Sequence, residues 1–320
     1  MAQDKKPIHG IFLLDKPSGI TSNRALQQVK KYFSAQKAGH TGSLDPLACG
    51  MLPICLGEAT KLARFSLEAK KAYWVKVKLG ETTTTGDSDG TLLVQRPVPP
   101  LTLAQLEQVA QNFSGAGQQI PPMFSALKYQ GQRLYALARQ GIEVERAARS
   151  IYIEQLQVQN LSLVAGQAEF QLQVQCSKGT YIRSLVMDIG EQLGCGAHVT
   201  ELRRLWVDQF ADFPMYGLEQ MAHIATTQGE MGLNQLLLPL TSILQGIPKV
   251  VLPNNLALLW QQGQRLSMAA PTAIGWVQIH SEQGELLGMG EILANGQLAP
   301  KRVLQTKPRS SKIIADIVNG

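Results

Sequence analysis

The segment Gly39-His40-Thr41-Gly42-Ser43-Leu44-Asp45-Pro46-Leu47-Ala48 sets one carboxylate and one imidazole in a stretch whose glycines and proline impose an irregular but defined backbone path. A carboxylate held in such a loop can attack carbon or take a proton, provided it is ionised when its substrate arrives. The same spacing also suits a plain turn in which Asp45 caps a backbone amide, the common role of Asp among Gly and Pro. Spacing alone favours the turn. Further along, Lys70-Lys71-Ala72-Tyr73-Trp74-Val75-Lys76-Val77-Lys78 interleaves cations with aromatic rings, a pairing suited to phosphates and bases respectively.

The elements that must hold these groups follow from patterning. Ile11 to Leu14 is a short apolar run stopped by Asp15-Lys16-Pro17-Ser18-Gly19, a strand entering a turn. Thr21, Ser22 or Asn23 then caps a helix with Ala25, Leu26, Val29 and Phe33 at helical spacing, and the Asp45 loop comes next. Tyr73, Val75, Val77 and Leu79 alternate with Trp74, Lys76 and Lys78, as in a half-buried strand. Thr102-Leu103-Ala104-Gln105 has the form of a helix capping box. From Gln167 to Cys176, apolar residues alternate with glutamines, which predicts an antiparallel strand with one wet face. Ser177 to Thr180 turns that strand into a helix marked by Ile182, Leu185, Ile189 and Leu193 and stopped at Gly194. Between Pro121-Pro122 and Arg149 lies an irregular basic stretch with a short helix from Arg133 to Gln140, closed by Gly141. After Gly246 the pattern turns β-rich: a strand at Lys249 to Leu252, a helix at Asn254 to Gln262, and three further strand-like runs. A tail with Lys307, Arg309 and Lys312 follows, which reads as a solvated end.

A chain of 320 residues exceeds what one core comfortably holds and fits one large domain plus a smaller one. With 44% hydrophobic and 17% charged residues it is expected to be a soluble, folded protein. No apolar run suits a membrane span and no signal pattern follows the N-terminus, so the cytoplasm is the expected location. Cys49, Cys55, Cys176 and Cys195 form no C-x-x-C pair and read as buried free thiols; the five histidines make no metal motif, so no metal is expected. The net charge of +6 suits either a polyanionic partner or simple solubility.

The string G-H-T-G-S-L-D-P-L-A-x-G-x-L-P from Gly39 to Pro53 resembles the signature of the bacterial tRNA pseudouridine synthases of the TruB type. It is joined in order by I-F-L-L-D-K-P-S-G (Ile11 to Gly19), G-E-A-T-K (Gly57 to Lys61), Tyr73 in K-x-Y and D-S-D-G (Asp87 to Gly90). Q-I-P-P-M-F-S-A-L-K-Y-Q-G (Gln119 to Gly131), C-S-K-G-T-Y-I-R (Cys176 to Arg183) and G-C-G-A-H-V-x-x-L-R-R (Gly194 to Arg204) complete it over nearly the whole chain. The resemblance implies an α+β protein. A catalytic domain at 1–246, built on a mixed, largely antiparallel sheet flanked by helices, would carry an RNA-binding insertion at about 118–149. A small PUA-like domain would occupy 247–320. It further implies isomerisation of uridine 55 in the T loop of tRNA, with no cofactor, the tRNA T-arm as partner, and a monomer with no obligate protein partner.

Carried across residue by residue, the resemblance implies Asp45 as the catalytic carboxylate, Arg183 as its ion-pair partner and Tyr73 stacked on the base. His40 would fill the space the flipped base leaves, Tyr181 and Leu202 would line the pocket, and Lys16 and Lys61 would contact phosphate. An arginine beside Asp45 would keep it ionised, since such pairing lowers a carboxyl pKa by ~1 to 3 units. Aromatic surfaces would receive a base removed from its stack. Each residue also has an ordinary structural use: core packing for Tyr73, Tyr181 and Leu202, a backbone bond for His40, solvent for Arg183 and the two lysines. Thr84 and Phe124 depart from the pattern, where Asp and Tyr are usual, which touches a loop contact and a hydroxyl hydrogen bond. Ser43 and Cys49 stand where Ala and Thr are common, and nothing marks Cys49 as a reactive thiol.

Overall fold

A computed structural model of the chain describes residues 6–164, 167–268 and 274–305. The expected basic tail at Lys307 to Lys312 lies outside the described residues. The chain opens with β1 (Gly10–Lys16), α1 (Ser22–Tyr32), β2 (Ala38–His40), β3 (Cys49–Leu56), α2 (Ala63–Leu67) and β4 (Lys71–Leu79). A small hairpin, β5 (Glu81–Thr83) with β6 (Leu92–Gln95), precedes α3 (Leu103–Gln111) and β7 (Gly115–Gln119). The insertion holds β8 (Lys128–Tyr129), β9 (Gln132–Arg133) and α4 (Leu134–Ala138). Then come β10 (Arg149–Val164), β11 (Gln167–Cys176), α5 (Ile182–Gln192), β12 (Ala197–Val207), α6 (Leu218–Thr227) and α7 (Gly229–Gln235). The remainder is β13 (Lys249–Leu252), α8 (Asn254–Gln261), β14 (Leu266–Ser267), β15 (Gly275–Ser281), β16 (Leu286–Ile292) and β17 (Gln297–Val303).

The main sheet has eight strands in the order β1-β3-β12-β4-β11-β10-β7, with β2 pairing β3. Among the described residues its one parallel strand pairing is short, with Arg203 and Arg204 of β12 running beside Cys49 and Gly50 of β3; its other strand pairs are antiparallel. That contact brings the end of the Asp45 loop against β12. A second sheet of five strands, β13-β15-β16-β17-β14, forms after residue 248.

Two kinds of strand sequence correspond to two kinds of burial. In β4 and β11 the apolar phase is buried while Lys76, Lys78, Gln171, Gln173 and Gln175 remain half-exposed, as the alternation predicts. In β1 and β3 both phases are apolar because both faces are covered. Phe12, Leu14, Leu52 and Ile54 join the core beneath α1, whereas Ile11, Leu13, Met51 and Cys55 pack with Ile243, Leu244, Met289 and Leu304 on the other side. The second sheet therefore closes the rear of the first. Arg64 adds a cation stacked 4.7 Å from the Trp276 ring centroid, and Phe65 meets that ring edge-on.

The helix starts follow local chemistry. Thr21 caps α1 by accepting from Arg24 N, and Thr102 and Gln105 form the reciprocal capping box at α3. Gly141 and Gly194 follow α4 and α5 with positive φ, which glycine alone adopts without strain. Cys55, Cys176 and Cys195 are buried free thiols as expected; Cys49 is only half-buried, and burial pushes the Cys55 thiol up to about 12.

Candidate active site

The Asp45 loop is pinned from several directions. Ser22, first residue of α1, donates its hydroxyl to Leu44 O at 2.9 Å and accepts from Leu44 N at 2.7 Å. Gly19 N donates to Pro46 O at 2.8 Å, and Ser18 Oγ donates to Leu47 O at 2.7 Å. On the sheet side, Arg204 Nε donates to Met51 O at 2.6 Å and its Nη2 to Gly42 O at 3.1 Å, gripping both flanks of the loop. Gly42 and Gly50 have φ of 89° and 97°. A Cβ at residue 50 would lie 2.2 Å from Arg204 O, so only glycine allows β3 to approach β12 here.

Arg183 lies on the first turn of α5 and is almost wholly buried, with 4% of its side chain exposed. Its Nε is 2.9 Å from Asp45 Oδ2 and 3.6 Å from Asp87 Oδ2, while its Nη1 and Nη2 donate to Thr85 O at 2.5 Å and Phe124 O at 2.6 Å. One guanidinium thus serves two carboxylates of different character. Asp45 is open to a ligand, with 38% of its side chain exposed; Asp87 is buried. Burial pushes the Asp87 carboxyl above its ordinary range, against the pull of the Thr85 hydroxyl and of Arg183. The turn reading of the loop is present as well, since Asp45 O accepts from Ala48 N, but the side chain is committed to Arg183 rather than to a backbone amide.

The other expected aromatic and apolar residues sit on the elements that carry the pair or grip its loop. Tyr73 and Arg204 face each other across β4 and β12, and Leu202 faces Val75 one position along the same phase. Burial holds the Tyr73 phenol above its usual pKa, and the adjoining Arg204 cation opposes that shift. Tyr181, the residue before α5, is half-buried, and burial raises its phenol too. His40, at the end of β2, is half-buried with Nδ1 lacking a partner. Burial lowers its pKa, helped by the Arg204 and Arg133 cations, so the ring is neutral at pH 7. Arg133 belongs to the insertion, where its Nη1 donates to Ala126 O at 3.1 Å.

Two expected site residues are engaged within the fold. Lys16 is fully buried, and its ammonium donates to Pro17 O at 2.9 Å, Ile20 O at 2.6 Å and, more weakly, Pro46 O at 3.4 Å. Burial lowers its pKa to about 8. It ties the turn after β1 to the Asp45 loop and presents no charge to a phosphate. Lys61 bonds Glu58 at 2.6 Å and Val303 O at 2.9 Å, while Glu58 also accepts from Gln305 N. It fastens the second sheet to the first, remote in bonding from Asp45. Thr84 accepts from Thr91 N at 3.0 Å to close the β5–β6 loop, and the bonding group of Phe124 is its carbonyl.

The sequence matches known families along most of its length. Residues 30–182 match the TruB family pseudouridylate synthase N-terminal domain. Residues 183–245 match the tRNA pseudouridylate synthase B C-terminal domain, and 248–304 match pseudouridine synthase II TruB, C-terminal. The tRNA pseudouridine synthase B of Nitrosococcus oceani is 50% identical over 297 residues, 93% of this chain and 95% of that protein. That of Coxiella burnetii is 47% identical over 303 residues, 95% of this chain and 97% of the relative. The chain belongs to the TruB family of pseudouridylate synthases. A chain in a crystal structure of a Cbf5-Nop10-Gar1 complex superposes on this TruB-family chain with a TM-score of 0.70 at 25% identity, over 94% of this chain and 85% of that one. The mixed sheet with flanking helices is thus the pseudouridine synthase fold, α+β as expected.

Three contributors to the TruB-family site carried no role in the sequence reading: Asp87, Gln119 and Arg204. Arg204 had a usable signal, because it shares the inward phase of β12 with Leu202, where an unpaired cation is out of place. Asp87 and Gln119 were marked only as members of the motifs D-S-D-G and Q-I-P-P, since Arg183 and Tyr181, their partners at the site, are distant in sequence.

Proposed function

We propose that this chain isomerises uridine 55 in the T loop of tRNA to pseudouridine, as a cytoplasmic enzyme acting as a single chain. The observation that carries the reading is the exposed Asp45 carboxylate held 2.9 Å from a buried guanidinium inside the family's signature loop. In the reaction the N1–C1′ bond breaks, C5 bonds to C1′, and C5 gives up a proton while N1 gains one. Nothing is added or removed, so the isomerisation needs no redox or group-donating cofactor. Asp45 acts on the flipped nucleotide as nucleophile or as base, and Arg183 orients it. Tyr73 stacks on the uracil, Tyr181 and Leu202 wall the pocket, and neutral His40 fills the gap in the RNA stack. Flipping costs a few kcal/mol, which those surfaces offset.

The insertion at about 118–149 supports T-arm binding. It exposes Tyr129, Tyr135 and Ile142 and carries Lys128, Arg133 and Arg139, with the Arg139 guanidinium 5.5 Å from the Tyr135 ring centroid. The division into a catalytic domain at 1–246 and a PUA-like RNA-binding domain at 247–320 accords with the separate five-stranded sheet. The test is to incubate the protein with an unmodified tRNA transcript and map pseudouridine. Product at position 55, abolished by Asp45→Asn with tRNA binding retained, supports the reading. Absence of product sinks the substrate assignment, and turnover by Asp45→Asn removes Asp45 from its role.

A further inference from the structure

Gln119 ends β7 and pairs through its backbone with Arg149, the first residue of β10, so these two form the neck from which the insertion leaves the sheet. Its side chain does not belong to the insertion's surface. It is buried, its Oε1 accepts from Tyr181 N at 2.7 Å, and its Nε2 donates to Tyr181 O at 2.9 Å. One amide engages both backbone groups of a single residue, as a neighbouring strand would. The amide's orientation follows from the bonding, because the reverse would oppose donor to donor and acceptor to acceptor.

The residue it clamps is a sensitive one. Tyr181 is the N-cap of α5 and makes no side-chain cap bond of its own, so Gln119 takes over the fixing of the helix start. Arg183 follows two residues later and donates back to Phe124 O, five residues past Gln119. The neck thus grips the pocket wall at Tyr181 and the Asp45 partner at Arg183.

We propose that Gln119 is a positioning residue: through the Tyr181 backbone it couples the neck of the RNA-binding insertion to the pocket wall and to the Arg183–Asp45 pair. The proposal rests on the assignment of Asp45 and of the tRNA substrate made above. Its consequence is that removing the clamp slows the chemical step while the RNA-gripping surface of the insertion stays intact.

The experiment compares the parent with Gln119→Met and Gln119→Glu on an unmodified tRNA transcript, measuring affinity and single-turnover rate between pH 5.5 and 8.5, with urea unfolding at each pH. At pH 8 both variants should bind within about threefold of the parent and turn over at least ~10-fold more slowly. As the pH falls, Gln119→Glu should recover toward the parent measured at the same pH, because a protonated carboxyl again offers Tyr181 one donor and one acceptor. Gln119→Met has no such group and should not recover. Turnover within threefold of the parent overturns the proposal, as does a loss confined to affinity or a Gln119→Glu to parent ratio independent of pH. Two variants that unfold outright also count against it, since the amide would then serve the fold alone. An Asp45→Asn enzyme that still turned over would instead sink the catalytic reading and leave the pH recovery of Gln119→Glu intact.

Discussion

Replacing Arg204 by methionine should nearly spare stability and strongly impair catalysis. The guanidinium is buried and, among the described residues, forms no ion pair; its bonding is to Met51 O and Gly42 O. Losing two charge-assisted bonds costs about 3 to 6 kcal/mol, while removing a buried unpaired cation relieves a desolvation penalty of several kcal/mol. These nearly cancel, so urea unfolding should give a stability within about 2 kcal/mol of the parent. Catalysis has no such compensation. Without the Arg204 bonds to Gly42 and Met51, the Asp45 loop, still tied through Leu44, Pro46 and Leu47, can shift by a fraction of an ångström to an ångström, and a misplacement of that size costs on the order of 100-fold in single-turnover rate. An electrostatic signature accompanies it. After burial, the Arg204 cation is the next largest influence lowering the His40 pKa, so in Arg204→Met the imidazole should titrate higher, read by NMR across pH 4 to 8. A turnover rate within threefold of the parent, or an unmoved His40 titration, would refute the reasoning.

Arg183→Met should lower turnover much more than tRNA affinity. It should also cost roughly 3 kcal/mol of stability at pH 7, because buried Asp87 loses its counter-charge. The Asp87 pKa is already raised, so that deficit should shrink as pH falls and the carboxyl takes a proton; a deficit constant from pH 7 to 4.5 would contradict it. Lys16 has a folded pKa of about 8 against 10.5 unfolded, so its contribution is most favourable above 10.5 and is lost as pH falls through 8. The stability of the parent relative to Lys16→Met should therefore rise by about 2 to 3 kcal/mol between pH 7.5 and 10, and a flat difference in urea unfolding would remove the buried-ammonium account. Lys61→Met should loosen the second sheet, seen as faster amide exchange in β17, and leave the salt dependence of tRNA binding unchanged. A fall of about 1 in that slope would restore a phosphate contact.

Much of this protein was written locally. The alternation of Tyr73 to Leu79 and of Gln167 to Cys176, the Thr21 and Thr102 caps, and the stops at Gly141 and Gly194 depend on neighbours within a few residues, and each appears where those neighbours predict. The contiguous string from Gly39 to Pro53 likewise marked Asp45, although spacing alone left it a turn residue. What tertiary structure decided was the partner of each polar group. Arg183 chose between solvent and Asp45 because α5 packs into the same core as the loop, 138 positions away in the sequence. Lys16 and Lys61 look like surface cations in a one-dimensional reading, yet one is enclosed by its own turn and the other is taken by a carbonyl of the last strand. Gln119 and Asp87 went unassigned for the same reason. A side chain's chemistry is set by what burial removes from it and what remains within hydrogen-bond reach, and both are properties of the folded chain rather than of the sequence around the residue.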